Sequence, residues 1–159
     1  MLSVGSPTAT DAPAGTVGRA DDAAPGTAVA NAPAVITAVT VSFRFEAAHH
    51  LVWHPGKCRN AHGHSYRLDV SVEGPLDEHD VVVDFDAMKA TVDETVVSRW
   101  DHRDLNDLFD NPTAERLAHD AWERLTGAGL PVSALRLWET ADASVELRRV
   151  DPPAIPSPA

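Results

Sequence analysis

Two stretches of the chain alternate apolar and polar residues with a period of two, and this alternation most narrows the possible folds. The first stretch runs from Val35 to Ala48, and the second runs from His64 to Glu73, just before the turn residues Gly74 and Pro75. The apolar positions are Val41, Phe43 and Phe45 in the first stretch and Tyr66, Leu68, Val70 and Val72 in the second. Because successive side chains of a strand point to opposite faces of a sheet, this pattern predicts two strands that each bury one face.

Two later segments repeat apolar residues at the spacing of a helix. Asp84 can cap a first helix that runs to about Trp100, and Asn111-Pro112 can start a second helix that ends at Gly127 and Gly129. The apolar stripes are Phe85, Met88, Val92 and Val96 in the first helix and Ala114, Leu117, Ala118, Ala121, Trp122 and Leu125 in the second. Spacings of three and four residues place each stripe on one helix face.

The chain returns to strand-like sequence after the helices, at Ala134 to Thr140 and at Ser144 to Val150. The predicted element order is therefore ββααββ. An amphipathic sheet and two amphipathic helices must bury their apolar faces against each other. We therefore predict an α+β domain in which an antiparallel sheet carries both helices on one face.

Both ends of the chain differ in composition from this predicted domain. Residues 1–33 consist mostly of small residues and Pro with one basic residue, Arg19, and residues 151–159 are rich in Pro. Such segments offer little to bury and are typical of disordered tails. The sequence therefore predicts one domain over residues 34–150 between two tails.

Charge and hydropathy exclude several classes of protein. A formal net charge of −11 argues against nucleic acid as a partner, because binding to phosphates requires a basic surface. The sequence contains neither an apolar run of about 20 residues nor a signal peptide, so no membrane partner is expected. Cys58 is the only cysteine, so no internal disulfide can form. We expect a cytoplasmic protein.

His62 and His64, separated by Gly63, form the motif most typical of a metal site. In an extended chain, residues two apart point to the same face. His49, at the end of the first predicted strand, can add a third imidazole if the first two strands pair. Three histidines with one open position are typical of catalytic zinc sites, although imidazole also suits copper, nickel and iron. Zinc is the predicted metal, and the histidines expected at the surface or hydrogen-bonded in the core are His50, His54, His79 and His119.

Cys58 allows two interpretations of this site. As a fourth ligand it would close the coordination and make the zinc structural. As a free thiol beside a cation, between Lys57 and Arg59, it would have a lowered pKa and could act as a base or nucleophile. Spacing alone leaves both interpretations open.

Two further acidic positions are ambiguous. Asp101 and His102 could serve proton transfer, but they lie in a polar segment that is also typical of a connecting loop, and composition favours the loop. Glu139 lies in a strand-forming run, where a carboxylate usually faces water. Neither position identifies a site by itself.

Six short segments together resemble the 6-pyruvoyl-tetrahydropterin synthase and 6-carboxy-tetrahydropterin synthase family. They are Phe45-Glu46-Ala47-Ala48-His49, Cys58-Arg59-Asn60-Ala61-His62-Gly63-His64, Val83-Asp84-Phe85, Asp101-His102-Arg103-Asp104-Leu105-Asn106, Asn111-Pro112-Thr113-Ala114-Glu115 and Trp138-Glu139-Thr140. The resemblance implies the tunnelling fold (T-fold), in which ββααββ units oligomerise into a barrel, here a hexamer or tetramer, with pterin sites where subunits meet.

The resemblance also implies a role for each site residue. It places zinc on His49, His62 and His64, makes Cys58 the proton acceptor, pairs Asp101 with His102 as acid–base partners, and makes Glu139 the pterin anchor. The substrate implied is 7,8-dihydroneopterin triphosphate. Its phosphates need cations, and the nearest basic residues in the sequence are Lys57, Arg59 and Arg67.

The distance between Cys58 and His62 separates the branches of the family. The intervening three residues resemble the 6-carboxy-tetrahydropterin synthases of 7-deazapurine (queuosine-type) biosynthesis, because the pyruvoyl-forming branch has a longer insertion there. The implied products are 6-carboxy-5,6,7,8-tetrahydropterin, acetaldehyde and triphosphate. The alternatives are the pyruvoyl-forming synthase and, in a different class, a zinc-stabilised binding module without turnover.

Overall fold

The structure is a computed structural model that describes residues 35–150. The tails predicted for residues 1–33 and 151–159 lie outside the described residues. Within residues 35–150, none of the helices combines the length and the apolar character needed to span a membrane.

The sheet contains the four predicted strands in the antiparallel arrangement expected. They are β1 (Thr37–His49), β2 (His62–Gly74), β4 (Val132–Trp138) and β5 (Ser144–Arg148). Strands β1 and β2 pair antiparallel along their whole length, β2 pairs with β4, and β4 pairs with β5. The pairing of the first two strands, on which the predicted histidine cluster depends, is thus confirmed.

A fifth, very short strand makes the sheet mixed and corrects the prediction of a purely antiparallel sheet. Strand β3 (Arg103–Asp104) runs parallel to β1, opposite Ala47 and Ala48, so the strand order is β3-β1-β2-β4-β5. Its residues are charged and exposed, so neither periodicity nor hydrophobicity could reveal it. The pairing of β3 with β1 positions the polar segment that contains Asp101 and His102.

The helices follow the predicted order with local differences. The first helical region comprises α1 (Phe85–Val92), a π-helical stretch (Asp93–Val97) and the turn α2 (Ser98–Trp100), and the second helix is α3 (Ala114–Gly127). Asp84 caps α1 by accepting a hydrogen bond from the Ala87 N–H at 2.8 Å, as predicted. Thr113 caps α3 in the same way. Phe85 was expected in the buried stripe but is 55% exposed, because the first turn of α1 lines a surface cavity with Leu76 and Val81.

The core lies between the helices and one face of the sheet. Its largest fully buried side chains include Tyr66, Leu68, Leu135 and Leu137 from the strands and Met88, Trp100, Leu117 and Leu125 from the helices. Burial of side chains of this size stabilises the fold by about 1.5–3 kcal/mol each. The histidines of β1 and β2 lie at one end of the same sheet face. The packing of the core therefore holds the two strands that carry them in place.

Candidate active site

Three histidines from two paired strands converge at one end of the sheet. His49 lies opposite His62 in the β1–β2 register, and Ala47 lies opposite His64, so all three imidazoles share the sheet face that carries the core. One nitrogen of each ring can be chosen so that all three lie within 4.8 Å of one another. This cluster could hold a metal ion.

Backbone carbonyls hold two of the rings in the tautomer that a metal requires. The Nδ1–H of His49 donates to the Pro112 carbonyl oxygen at 2.8 Å, and the Nδ1–H of His62 donates to the Asn60 carbonyl oxygen at 2.8 Å. A carbonyl can only accept, so in the neutral ring the proton resides on Nδ1 and Nε2 carries the lone pair. This outer-shell arrangement is typical of histidines that bind metals.

Two of the free nitrogens are buried without a partner. His49 is 1% exposed, and the Nε2 atoms of His49 and His64 have no hydrogen-bond partner among the described residues. An orphaned buried polar atom costs about 1–3 kcal/mol, and a bound cation would remove that cost. Burial lowers the pKa of His64, the charge of Glu139 opposes this shift, and His49 and His62 add to it. His64 is therefore held in the neutral form that can bind a metal, and the residues fit the zinc that the sequence predicts.

Cys58 lies near this cluster in sequence but is not one of its members. It is half-buried in a 3-10 turn (Lys57–Arg59), where its carbonyl oxygen accepts a hydrogen bond from the Leu51 N–H at 2.8 Å. Within residues 35–150, the group of side chains close enough to share a metal consists of the three histidines alone. This arrangement favours a site with an open position over one closed by the thiol.

Asp101 and His102 form a hydrogen-bonded pair attached to β1. Asp101 accepts hydrogen bonds from the Glu46 N–H and from His102 Nδ1, each at 2.9 Å. These bonds, led by that from the Glu46 backbone, lower the pKa of Asp101. His102 has a left-handed backbone, with φ of 56°, and its N–H donates to the Glu46 carbonyl oxygen at 2.6 Å. The carboxylate thus fixes the proton on Nδ1 and leaves the exposed Nε2 free to exchange protons.

Glu139 lies near the cluster on the β4 side of the sheet, whereas Asp101 and His102 lie on the β1 side. It follows the last residue of β4 rather than lying inside the strand, and its Oε1 lies 3.5 Å from His64 Nε2. It lines a cavity of about 500 Å³ with His64 and Trp138. A second cavity of about 470 Å³ contains His64 and His102. Both cavities share Gly63, His64 and Ser65, so His64 shares one cavity with His102 and the other with Glu139.

The family model described as 6-pyruvoyl tetrahydropterin synthase matches residues 38–150. The chain belongs to this family. The match spans every strand and helix except the first residue of β1.

Relatives within the family carry more than one name. A putative 6-carboxy-5,6,7,8-tetrahydropterin synthase of Archaeoglobus fulgidus is 35% identical over 111 residues, which cover 70% of this chain and 95% of that protein. A 6-carboxy-5,6,7,8-tetrahydropterin synthase of Synechocystis is 42% identical over 96 residues, covering 56% and 74%. A dihydroneopterin monophosphate aldolase of Pyrococcus furiosus is 42% identical over 90 residues, covering 54% and 76%.

A solved structure of the family confirms the fold. The Caenorhabditis elegans 6-pyruvoyl tetrahydropterin synthase superposes with a TM-score of 0.66 at 24% identity, covering 73% of this chain and 97% of that one. The predicted α+β class and the T-fold of the single chain are therefore confirmed.

Of the three basic residues that the sequence suggested for phosphate binding, only one lines a cavity beside the histidines. Arg67 lines the cavity that contains Glu139. Lys57 and Arg59 are exposed in the turn around Cys58 and line neither of the two cavities beside the histidines. Arg44, which the sequence did not single out, lines the Glu139 cavity instead. Arg44 lies opposite Arg67 in the β1–β2 register, so a correct prediction of this register would have identified it.

Asn106 is a second residue to which the sequence assigned no role of its own. Its side-chain Oδ1 accepts from the His50 N–H at 2.8 Å, and its Nδ2 donates to the His50 carbonyl oxygen at 3.0 Å. The amide therefore holds the backbone just beyond the end of β1, next to His49 of the cluster. The motif Asp104-Leu105-Asn106 shows in the sequence that an amide is present, but nothing in the sequence indicates that it binds the backbone of His50.

Proposed function

We propose that this chain is a zinc-dependent 6-carboxy-5,6,7,8-tetrahydropterin synthase, a carbon–carbon lyase of the 6-pyruvoyl tetrahydropterin synthase family. It would convert 7,8-dihydroneopterin triphosphate and one water molecule to 6-carboxytetrahydropterin, acetaldehyde and triphosphate, as a step towards 7-deazapurines such as queuosine. The observation that carries the proposal is the convergence of three imidazoles, two of them with buried and unpartnered Nε2 atoms, between an acid–base pair and a carboxylate. The names of the Archaeoglobus and Synechocystis relatives support the choice of product.

The metal site consists of His49, His62 and His64. Zinc bound there would supply Lewis-acid polarisation of the hydroxyl groups on the substrate side chain. The carbonyls of Pro112 and Asn60 keep His49 and His62 oriented for this task.

Proton transfer falls to Cys58 and to the Asp101–His102 pair. Cys58, as thiolate, would accept a proton from a carbon of the substrate side chain. His102 Nε2 would deliver or accept protons, since Asp101 holds the proton on Nδ1. Positioned acid–base groups of this kind contribute about 10²–10⁴-fold to a rate.

Glu139 would anchor the pterin ring. Its carboxylate can accept two hydrogen bonds from the amino-pyrimidine edge, which is a strong charge-assisted arrangement. The carboxylate is partly exposed in its cavity and lies 3.5 Å from His64. A ring held there would place its side chain beside the histidines, and such positioning lowers the entropic part of the barrier.

The active form would be a homo-oligomer, a hexamer or tetramer closed into a barrel. Strand β3 pairs with β1 only at Ala47 and Ala48, so within residues 35–150 the outer edge of β1 from Thr37 to Glu46 has no strand partner. A long unpaired edge is a template for pairing with another chain. A second copy is the occupant that the family resemblance implies.

Product analysis tests the proposed reaction. The zinc-loaded protein would be incubated separately with 7,8-dihydroneopterin triphosphate and with the monophosphate, and products identified by mass spectrometry. We expect 6-carboxytetrahydropterin and acetaldehyde from the triphosphate. A 6-pyruvoyl product without acetaldehyde would assign the pyruvoyl-forming reaction, and turnover of the monophosphate alone would assign the aldolase activity for which the Pyrococcus relative is named. Retained zinc without any product would indicate the binding module.

A further inference from the structure

Two arginines lie directly opposite each other on the face of the sheet away from the helices. Arg44 in β1 is the register partner of Arg67 in β2, next to the position where Phe45 enters the core on the other face. Direct cross-strand partners lie close enough to interact, and like charges in that relation destabilise a sheet. A pair of this kind therefore calls for a compensating negative charge.

A direct ion pair is formed by only one of the two arginines among residues 35–150. Arg67 Nη2 lies 3.3 Å from Asp69 Oδ2. Asp69 also accepts hydrogen bonds from Ser42 Oγ at 2.6 Å and from Trp138 Nε1 at 3.0 Å. Arg44 has no ion-pair partner within residues 35–150. Arg44 is thus left without a direct ion pair, because the nearby carboxylate of Glu46 accepts a hydrogen bond from Ser65 Oγ at 2.8 Å instead.

Arg67 is held in place and still has a donor to spare. Its guanidinium carbon lies 4.5 Å from the centre of the Trp138 ring, a cation–π contact that restricts the side chain. Its Nε atom is buried and has no hydrogen-bond partner among the described residues. The side chain as a whole is 37% exposed, so an anion can approach its accessible part, and the planar donors of a guanidinium match phosphate oxygens two at a time.

We propose that Arg44 and Arg67 form a phosphate-binding pair that holds the triphosphate group of the substrate. This inference rests on the proposed function for the identity of the ligand. Both arginines line the cavity of about 500 Å³ that also contains His64 and Glu139, so the phosphates and the pterin ring would share one cavity. The hydroxyl groups of Ser65 and Thr140 line the same cavity and can donate to phosphate oxygens. Lys57 and Arg59 are not needed for this task.

Inorganic triphosphate tests the pair without requiring turnover. Its affinity for the zinc-loaded full-length protein would be measured by calorimetry at fixed ionic strength. We expect Arg44→Gln to weaken binding roughly tenfold or more, as expected for the loss of a charge-assisted contact. Arg67→Lys keeps the charge but loses the planar fork and the contact with Trp138, and we expect it to weaken binding as well. Arg44 is exposed, so its substitution leaves the fold intact, and a thermal unfolding curve checks this for both variants.

Arg99→Gln is the matched control. Arg99 is exposed on α2, on the helix side of the sheet, and within residues 35–150 it also lacks an ion-pair partner. Its substitution changes the net charge equally and should leave the affinity for triphosphate unchanged. Equal weakening by Arg99→Gln and Arg44→Gln, wild-type affinity in Arg44→Gln, or no triphosphate binding by the wild-type protein would each overturn the proposal.

Unphosphorylated 7,8-dihydroneopterin separates this inference from the proposed function. We expect Arg44→Gln to bind it as tightly as the wild-type protein does, because only the phosphates contact the pair. If the wild-type protein turns over no pterin but binds triphosphate in a manner that depends on Arg44, the proposed reaction fails and the phosphate pair stands. If turnover is observed and Arg44→Gln leaves the KM for the triphosphate substrate unchanged, the pair fails and the reaction stands.

Discussion

His49 donates its Nδ1–H to the carbonyl oxygen of Pro112 at 2.8 Å. This bond is buried and the ring is 1% exposed, so the fold itself orients the imidazole and leaves Nε2 without a hydrogen-bond partner among residues 35–150. Pro112 lies just before Thr113, the N-cap of α3, so the start of that helix also orients His49. The fold therefore orients His49 of the histidine cluster without the help of a bound metal.

Metal content should depend on the clustered histidines and not on histidines elsewhere. We expect His62→Ala to lose most of the bound zinc, because a three-nitrogen set reduced to two binds weakly. His79→Ala is the control, since His79 is 77% exposed in a loop after β2. Zinc per chain would be measured by inductively coupled plasma mass spectrometry. Equal zinc in His62→Ala and wild type would exclude this cluster as the metal site.

Cys58→Ala should separate catalysis from metal binding. The thiol is not among the side chains grouped around the metal position, so we expect the variant to keep its zinc. Loss of the proton acceptor should lower kcat by about 10²–10⁴-fold. Zinc content and kcat would be measured on the same preparation. Simultaneous loss of metal and activity would instead support a closed structural site of three histidines and the thiol.

Asp101 should contribute to stability in a pH-dependent manner. Its pKa is lowered in the folded state, chiefly by the hydrogen bond from the Glu46 backbone and then by His102. A carboxyl group with a lowered pKa stabilises the fold above its unfolded-state pKa, and this contribution is lost as the pH falls through the folded-state value. We expect the difference in unfolding free energy between wild type and Asp101→Asn to be present at pH 7 and to shrink below about pH 4.

The measurement for Asp101 is urea unfolding across that pH range. Asp86→Asn is a suitable control, because Asp86 is exposed and its contact is a surface pair with Lys89. If the difference in unfolding free energy between Asp101→Asn and wild type grows as the pH falls, the lowered pKa of Asp101 does not stabilise the fold.

Glu139 should govern substrate capture rather than metal content. We expect Glu139→Gln to raise KM by roughly tenfold or more, because a carboxylate that accepts two charge-assisted hydrogen bonds is replaced by an amide that can accept only one of them well. Zinc should remain at the wild-type level. Glu115→Gln, an exposed change in the first turn of α3, should leave both quantities unaltered. Steady-state kinetics at matched zinc loading provide the check, and an unchanged KM would remove Glu139 from the pterin site.

The histidine cluster could be predicted from the sequence because strand geometry is strict. A period of two places His62 and His64 on one face, and the antiparallel register then brings His49 opposite His62. The same periodicity predicted the buried positions Tyr66 and Leu68. The alternation of side chains along a strand was therefore sufficient to predict which residues share a face.

The supporting contacts could not be predicted because they join segments that are distant in the sequence. Asn106 contacts His50, Pro112 contacts His49, and the Asp101–His102 pair is attached to Glu46, each across more than 50 residues. Polar loop residues show no periodicity that would reveal such partners. The exposure of Phe85 was missed for a related reason, since helical spacing places a residue on a face but does not show where that face leaves the core.

The proposed reaction requires metal held by the three histidines, and a zinc titration tests this requirement most directly. The protein would be stripped with a chelator and titrated with zinc while acetaldehyde release from 7,8-dihydroneopterin triphosphate is followed. We predict no turnover in the stripped protein, a linear rise that reaches its plateau at one zinc per chain, and no recovery in His62→Ala. Full turnover by the stripped protein, with metal absence verified, would contradict a role for the metal in the reaction.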